Sequence, residues 1–250
     1  MQKIKLSKID TRAPKGTNKE KTKEKTAHLT ERLAELQNVL YAESKWSLLI
    51  VLQGMDASGK DGAVKSVFRG INPEGCRVQS FKVPTKEELA HDFLWRIHQH
   101  TPPRGMIQIF NRSHYEDVLI TRVHGWISEE IVRERFEHIN AFETLLQSSR
   151  TVILKFYLHI SEKEQQERFK ERLTDPWKRW KYNPDDLKES QKWPEYRKAY
   201  EDVLEHCSPE IPWTIVPSDQ NWYKEHIIAK SIVEHLEKLK MKYPNLGENA

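Results

Sequence analysis

The stretch Trp46-Ser47-Leu48-Leu49-Ile50-Val51-Leu52-Gln53-Gly54-Met55-Asp56-Ala57-Ser58-Gly59-Lys60-Asp61 governs how the rest of the chain is read. Its first half is an apolar run of the buried-strand type. Its second half holds two glycines spaced by four residues and followed by lysine, the pattern of a phosphate-binding loop. Glycines let the backbone curl until its N–H groups face phosphate oxygens, and the lysine adds a mobile positive charge. A helix is expected from Lys60 to about Arg69. In that strand–loop–helix setting, a plain turn with a surface lysine is the weaker reading. Gly54, Ser58, Gly59, Lys60 and Asp61 are therefore expected to contact phosphate.

Two positions depart from the pattern. The residue after the lysine is usually Ser or Thr, whose hydroxyl holds Mg²⁺, and here it is Asp61. A second carboxylate, Asp56, lies inside the loop. A carboxylate among phosphates repels them unless a divalent cation sits between, so acids are expected to replace the hydroxyl as ligands.

Working outward, apolar runs alternate with amphipathic segments, the mark of an α/β fold with a parallel sheet flanked by helices. Strands are expected at 47–52, 76–81, 105–110, 151–158 and 213–217, and a first helix over Leu29 to Ala42. Thr85-Lys86-Glu87-Glu88 and Ser161-Glu162-Lys163-Glu164 both read as capping boxes opening helices. Pro194 suits the first turn of another helix, with Tyr196, Tyr200, Val203 and Cys207 on one face. Residues 174–193 mix cations, aromatics and prolines without a core-facing period. They read as a lid over bound phosphates or, equally, as a surface loop whose aromatics pack back on the body.

At 250 residues, 31% charged and 37% hydrophobic, the chain suits one sizeable domain. No apolar run approaches the roughly 18 residues of a membrane span, and the start lacks a signal-peptide core, so a cytoplasmic protein with no membrane partner is expected. Cys76 and Cys207 form no metal-spaced pair and are expected to be reduced thiols. The net charge of +4 is unevenly placed: residues 1–26 hold nine Lys or Arg against three Asp or Glu, and the remainder 32 against 34. Residues 1–28 therefore read as a basic, flexible arm ahead of a single domain over 29–250. Such an arm can touch a polyanion, but a solvated extension is the preferred reading and no nucleic-acid partner is expected.

A second constellation follows the strand Met106–Phe110: Asn111-Arg112-Ser113-His114-Tyr115-Glu116-Asp117, continuing to Arg122. Phosphate-loop proteins usually end the neighbouring strand in an acid that supports Mg²⁺, and here the position is the neutral Asn111. Charges of both signs at the carboxyl end of a sheet point to a ligand crevice. Arg168 and Arg172, four apart on the helix opened by Ser161, either grip phosphates or pair with Glu164 and Glu171 on a solvated face. The eleven histidines show no metal-binding spacing. There is no nucleophile elbow.

Taken together, Gly54–Asp61, Ser80-Phe81-Lys82-Val83-Pro84, Phe110–Asp117, Thr121-Arg122-Val123-His124 and the Arg168…Arg172 run leading into Trp177–Tyr182 resemble the family-2 polyphosphate kinases. The resemblance extends from about residue 30 to the end, and is greatest to the class III subgroup. It implies a three-layer phosphate-loop kinase fold with about five strands and a helical lid at 174–193. It further implies Mg²⁺-dependent, reversible transfer of the terminal phosphoryl group of inorganic polyphosphate to nucleoside mono- and diphosphates, with Mn²⁺ as a substitute metal and a homo-oligomer, dimer or tetramer, as the assembly. Carried over by motif, Asp56, Lys60, Asn111, Arg112 and Asp117 are the catalytic set, and Asp56 and Asp117 the metal ligands. Lys82, Arg122, Arg168, Arg172 and Lys178 join the loop in holding polyphosphate or nucleotide phosphates, and Glu116 and Asp117 lie near the acceptor. Two other readings are an ATP-dependent nucleoside monophosphate kinase and a non-catalytic nucleotide- or RNA-binding protein with the same loop.

Overall fold

In the computed structural model, which describes residues 3–207 and 209–245, the opening apolar run is β1 (Ser47–Gln53), with every residue buried. A strand with no polar face must be covered on both sides, and β1 is the centre of a five-stranded sheet ordered β2-β3-β1-β4-β5. The others are β2 (Cys76–Ser80), β3 (Ile107–Asn111), β4 (Thr151–His159) and β5 (Trp213–Pro217), and every pairing is parallel. All five expected strands are present, with ends shifted by at most two residues.

Side chains alternate across the sheet, which splits the core in two. Leu48, Ile50 and Leu52 face α1 (Lys19–Glu43), α2 (Lys60–Val67) and α10 (Asn221–Lys238). Leu49 and Val51 belong to the other core, with residues of α5 (Glu116–Val123), α6 (Glu129–Ser148) and α9 (Trp193–His206). Short helices α3 (Lys86–Leu89) and α4 (Trp95–His98) lie between β2 and β3. Beyond β4 come α7 (Glu162–Thr174) and α8 (Pro184–Ser190).

Three expectations need correction. First, α1 starts at Lys19, ten residues ahead of Leu29, with Asn18 accepting a hydrogen bond from the Lys21 N–H as its cap. The first turns are nearly all polar, so no periodicity marked them. Second, the chain from residue 3 lies on the body rather than forming a free arm. Leu6 is buried in the α5–α6–α9 core, and the Ile4 and Leu6 N–H groups donate to Glu205 and Glu201. The His159 Nε2 lies 3.1 Å from the carbonyls of both Leu6 and Ile9. Third, the Thr85 capping box is complete, whereas at Ser161 only half exists. The Ser161 hydroxyl accepts from the Glu164 N–H, but its own N–H donates to Asp219, because Glu164 is held by Arg168.

The lid segment contains a short 3₁₀ turn, Arg179–Lys181, followed by α8, with Trp177 and Trp180 largely exposed. No helix among the described residues is long and apolar enough to cross a membrane.

Candidate active site

The carboxyl end of β1 opens into the loop Gly54–Gly59. Gly54 has φ +152°, and a Cβ there would lie 2.7 Å from the Leu158 carbonyl oxygen. Gly59 has φ +91°, and a Cβ there would collide with the Lys224 ammonium. Both glycines are thus required by conformation and by close approach. The register places Leu52 opposite Asn111, and Asn111 opposite Ser80, so three strand ends meet at the loop.

These elements border a cleft of about 740 Å³ whose wall holds eight cationic side chains: Lys60, Lys82, Arg112, Arg168, Arg172, Lys178, Lys181 and Lys224. The Lys60 ammonium is buried and donates to the carbonyls of Gly54 at 2.8 Å and Met55 at 3.3 Å. Burial first, and then the Arg112 charge, push its pKa down to about 8. Lys224 is also fully buried and donates to the Gly59 carbonyl and to Asn221. Burial and Arg168 push it down to about 8 as well.

Arg112 leaves β3 with φ +63°, a left-handed conformation uncommon outside glycine, and its N–H donates to the Leu52 carbonyl. That bend sends its guanidinium back to Asp56, with which it pairs. Glu116 and, against the effect of burial, Asp56 keep Arg112 charged well above the ordinary arginine range. The segment that follows is anchored from beneath. The Tyr115 hydroxyl donates to Glu143 at 2.7 Å, and the buried Lys155 donates to Glu143 at 2.6 Å and to Tyr115 at 3.0 Å. Burial works against the Glu143 charge, but His114 and Lys155 hold it below the usual carboxylate range.

Asp61 accepts from Asn111 at 2.7 Å and pairs with Lys181 of the lid at 3.0 Å. Burial opposes it, yet those two hydrogen bonds hold its carboxyl below the ordinary value. The lid is thus tied to the start of α2. Arg172 pairs with Asp186 at 2.7 Å across the same segment. Arg168 makes the Glu164 pair of one sequence reading through its Nε, while its Nη atoms donate to the carbonyls of Ala57 and Ser218. It braces the loop against the connection after β5. Lys178 lies at the wall, paired with Glu171 at 2.7 Å.

The structure therefore gathers Asp56, Gly59, Lys60, Asp61, Lys82, Asn111, Arg112, Arg168, Arg172 and Lys178 at one cleft. Gly54 and Ser58 form the loop beneath, with the Ser58 hydroxyl buried and without a hydrogen-bond partner among the described residues. Three expected residues, Arg122, Asp117 and Glu116, stand outside the cleft wall. Arg122 is held between Glu129 and Asp202, each at 2.7 Å. Asp117 lies 3.5 Å from Arg96 and 3.8 Å from Arg135. Burial raises its pKa against those two arginines. It stands in an ion-pair cluster with those arginines, apart from the cleft wall. Glu116 does not line the cleft and acts on it through Arg112.

Sequence reasoning missed Lys181, Asp186, Asn221 and Lys224. For Lys224 a signal existed: it occupies the i position of the row Lys224, Ile228, Ile232, Leu236, all buried along α10. A lysine on an apolar stripe needs a polar reason to be there.

A divalent cation can be tested against this donor set. Among the described residues no group of three or more His, Cys, Asp or Glu forms a metal cage. Asp56 and Asp61 are two hard oxygen donors on the cleft wall. That suits Mg²⁺, which keeps several waters and takes one or two carboxylates together with substrate phosphates.

Comparison with known proteins agrees with this geometry. The family model described as Polyphosphate kinase 2 matches residues 16–244. An AMP/ADP-polyphosphate phosphotransferase of Meiothermus ruber is 48% identical over 236 residues, covering 94% of this chain and 88% of that protein. An ADP-polyphosphate phosphotransferase of Rhodopseudomonas palustris is 43% identical, covering 97% of this chain and 89% of its own length. The crystal structure of polyphosphate kinase 2 from Arthrobacter aurescens superposes with a TM-score of 0.94 at 40% identity, over 97% of this chain and 88% of that one.

Proposed function

The chain belongs to the polyphosphate kinase 2 family, and from that premise we propose that it transfers the terminal phosphoryl group of inorganic polyphosphate to nucleoside mono- and diphosphates, reversibly and with Mg²⁺. In the transfer, the bond from the terminal phosphorus to its bridging oxygen breaks. A new bond forms to a terminal oxygen of the acceptor, leaving a polyphosphate shorter by one unit. The attacking oxygen is already anionic, so no general base is required.

The barrier lies in bringing two polyanions to in-line distance, and its reduction is a matter of positioned charge. The observation that carries the reading is the concentration of cations on one wall: eight Lys or Arg side chains around a single phosphate-binding loop. Several are held by backbone carbonyls, so their positions are set before substrate arrives. Lys60 is placed to exchange the loop's carbonyls for phosphate oxygens. Arg112 is placed to follow charge from donor to acceptor. Asp56 and Asp61 would hold Mg²⁺, which supplies charge neutralisation across neighbouring phosphates. Acceptance of both AMP and ADP, as named for the Meiothermus ruber relative, is the acceptor range we propose here.

The test supplies polyphosphate, Mg²⁺ and either AMP or ADP, with no ATP. Chromatography should show ADP and then ATP formed from AMP, and ATP formed from ADP. Product that appears from AMP only when ATP is the donor would assign the cleft to an ordinary nucleoside monophosphate kinase.

A further inference from the structure

We propose that the groove between α1, α2 and the start of α10 carries the polyphosphate chain beyond the cleft, an inference that rests on the polyphosphate reading above. The groove has a volume of about 560 Å³ and includes Lys19 and Lys23 of α1, Arg69 just past α2, and Asn221, Trp222 and Glu225 of α10. Asn221 also lines the loop-bearing cleft, so the groove and the cleft share that residue in their walls. A ligand leaving the cleft past the connection after β5 enters the groove there.

The ligand chemistry follows from the wall. Polyphosphate is a repeating anion, and the cleft holds only its end. The remaining length keeps its charge, and a track of spaced cations lowers its free energy more than a single strong site does. Lys19 and Lys23 are four apart and share one face of α1, separated by one helical turn. Lys23 is paired only with the exposed Glu20 at 3.2 Å, an interaction easily exchanged. Arg69 is exposed on the other side of the groove. The acid in the wall, Glu225, is engaged with Ser66 and lies in the field of Lys224. The start of α10 has no side-chain cap, and the helix dipole adds positive potential at that end.

The placement also accounts for part of the charge asymmetry of the sequence. The N-terminal 26 residues hold nine cations against three acids, and α1 fixes two of those cations in the wall of the groove. Ordering them on a helix gives them a function that a solvated arm would not.

The test uses the triple variant Lys19→Gln, Lys23→Gln, Arg69→Gln, all exposed positions that leave both cores intact. KM is measured at saturating nucleotide for a long chain of about 100 phosphates and a short one of about six, each across a salt series. For the long chain, KM should rise about tenfold and its dependence on salt should flatten, since fewer cations are engaged. For the short chain, which ends within the cleft, KM should move less than about twofold. Equal shifts for both lengths, or none for the long one, overturn the groove. A wild-type protein that uses neither length overturns the polyphosphate reading itself, and the groove with it.

Discussion

Two buried lysines titrating near neutrality make the pH dependence of substrate capture a direct probe of the site. Lys60 and Lys224 both have pKa values pushed down to about 8 by burial. An ordinary lysine at about 10.4 would stay charged throughout the working range. If only the charged Lys60 captures polyphosphate, the competent fraction of free enzyme is about 0.9 at pH 7 and about 0.1 at pH 9. kcat/KM for polyphosphate should then fall roughly tenfold over those two units, and towards a hundredfold if Lys224 must also be charged. Binding a polyanion raises both pKa values, so substrate uptake should be accompanied by proton uptake near pH 8 to 9. The stability effect has the opposite sense. The folded state holds fewer protons than the unfolded one between about 8 and 10.5, so the contribution of these lysines to stability rises with pH there. The measurement is kcat/KM at saturating nucleotide from pH 7 to 9.5, for wild type and for Lys60→Arg, whose charge does not titrate in this range. Arginine should flatten the limb due to Lys60 at lower overall activity. A wild-type profile that is level to pH 9 would refute the claim that burial sets the charge of the loop lysine.

Other outcomes follow from the same geometry. Lys60→Met should lower turnover by about a thousandfold or more while leaving the melting temperature near wild type, and retention of a tenth of the rate would remove the loop from the chemistry. Asp56→Asn and Asp61→Asn should each raise the Mg²⁺ concentration needed for half-maximal rate by about tenfold, whereas Asp117→Asn should leave it in place; a metal titration separates the three. Glu116→Ala should lower the rate on AMP more than on ADP, because the carboxylate, which interacts with Arg112 of the cleft, adds a negative charge that a shorter acceptor tolerates best. Equal losses would make Glu116 purely structural. Glu143→Ala strands the buried Lys155 charge and should cost about 3 kcal/mol of stability, read by denaturant unfolding, through loss of the anchor under Tyr115.

Four of the five strands were legible as short, largely apolar runs closed by glycine, proline or a polar cluster, a local property of the chain, whereas β2 is mostly polar and exposed and is marked by its position between loops. Their order was not written anywhere locally. β1 lies between β3 and β4, and that arrangement depends on packing among segments far apart in sequence. The start of α1 was hidden for a related reason. Residues 19–28 contribute mainly solvent-facing lysines and glutamates, and their helix is fixed by a cap at Asn18 and by contact with α10 rather than by an apolar stripe.

The gathering of residues at the cleft was legible where placement depends on immediate neighbours in sequence, and not where it depends on a distant partner. The loop, Asn111 and Arg112 are of the first kind. Asp117 and Arg122 stand in the same motif, but Arg96, Arg135, Glu129 and Asp202 already occupy them. Nothing in a motif announces that its charges are already engaged. Lys224 is the reverse case, a residue without a motif that the fold places under Gly59. It breaks the apolar pattern of its helix, and burying an ammonium costs free energy that packing alone does not return. The Gly59 carbonyl of the loop and the Asn221 amide oxygen of α10 offset part of that cost, and the phosphate it would meet offsets more. A local rule broken at a buried position is therefore informative in itself, and here it leads to the wall of the cation-lined cleft.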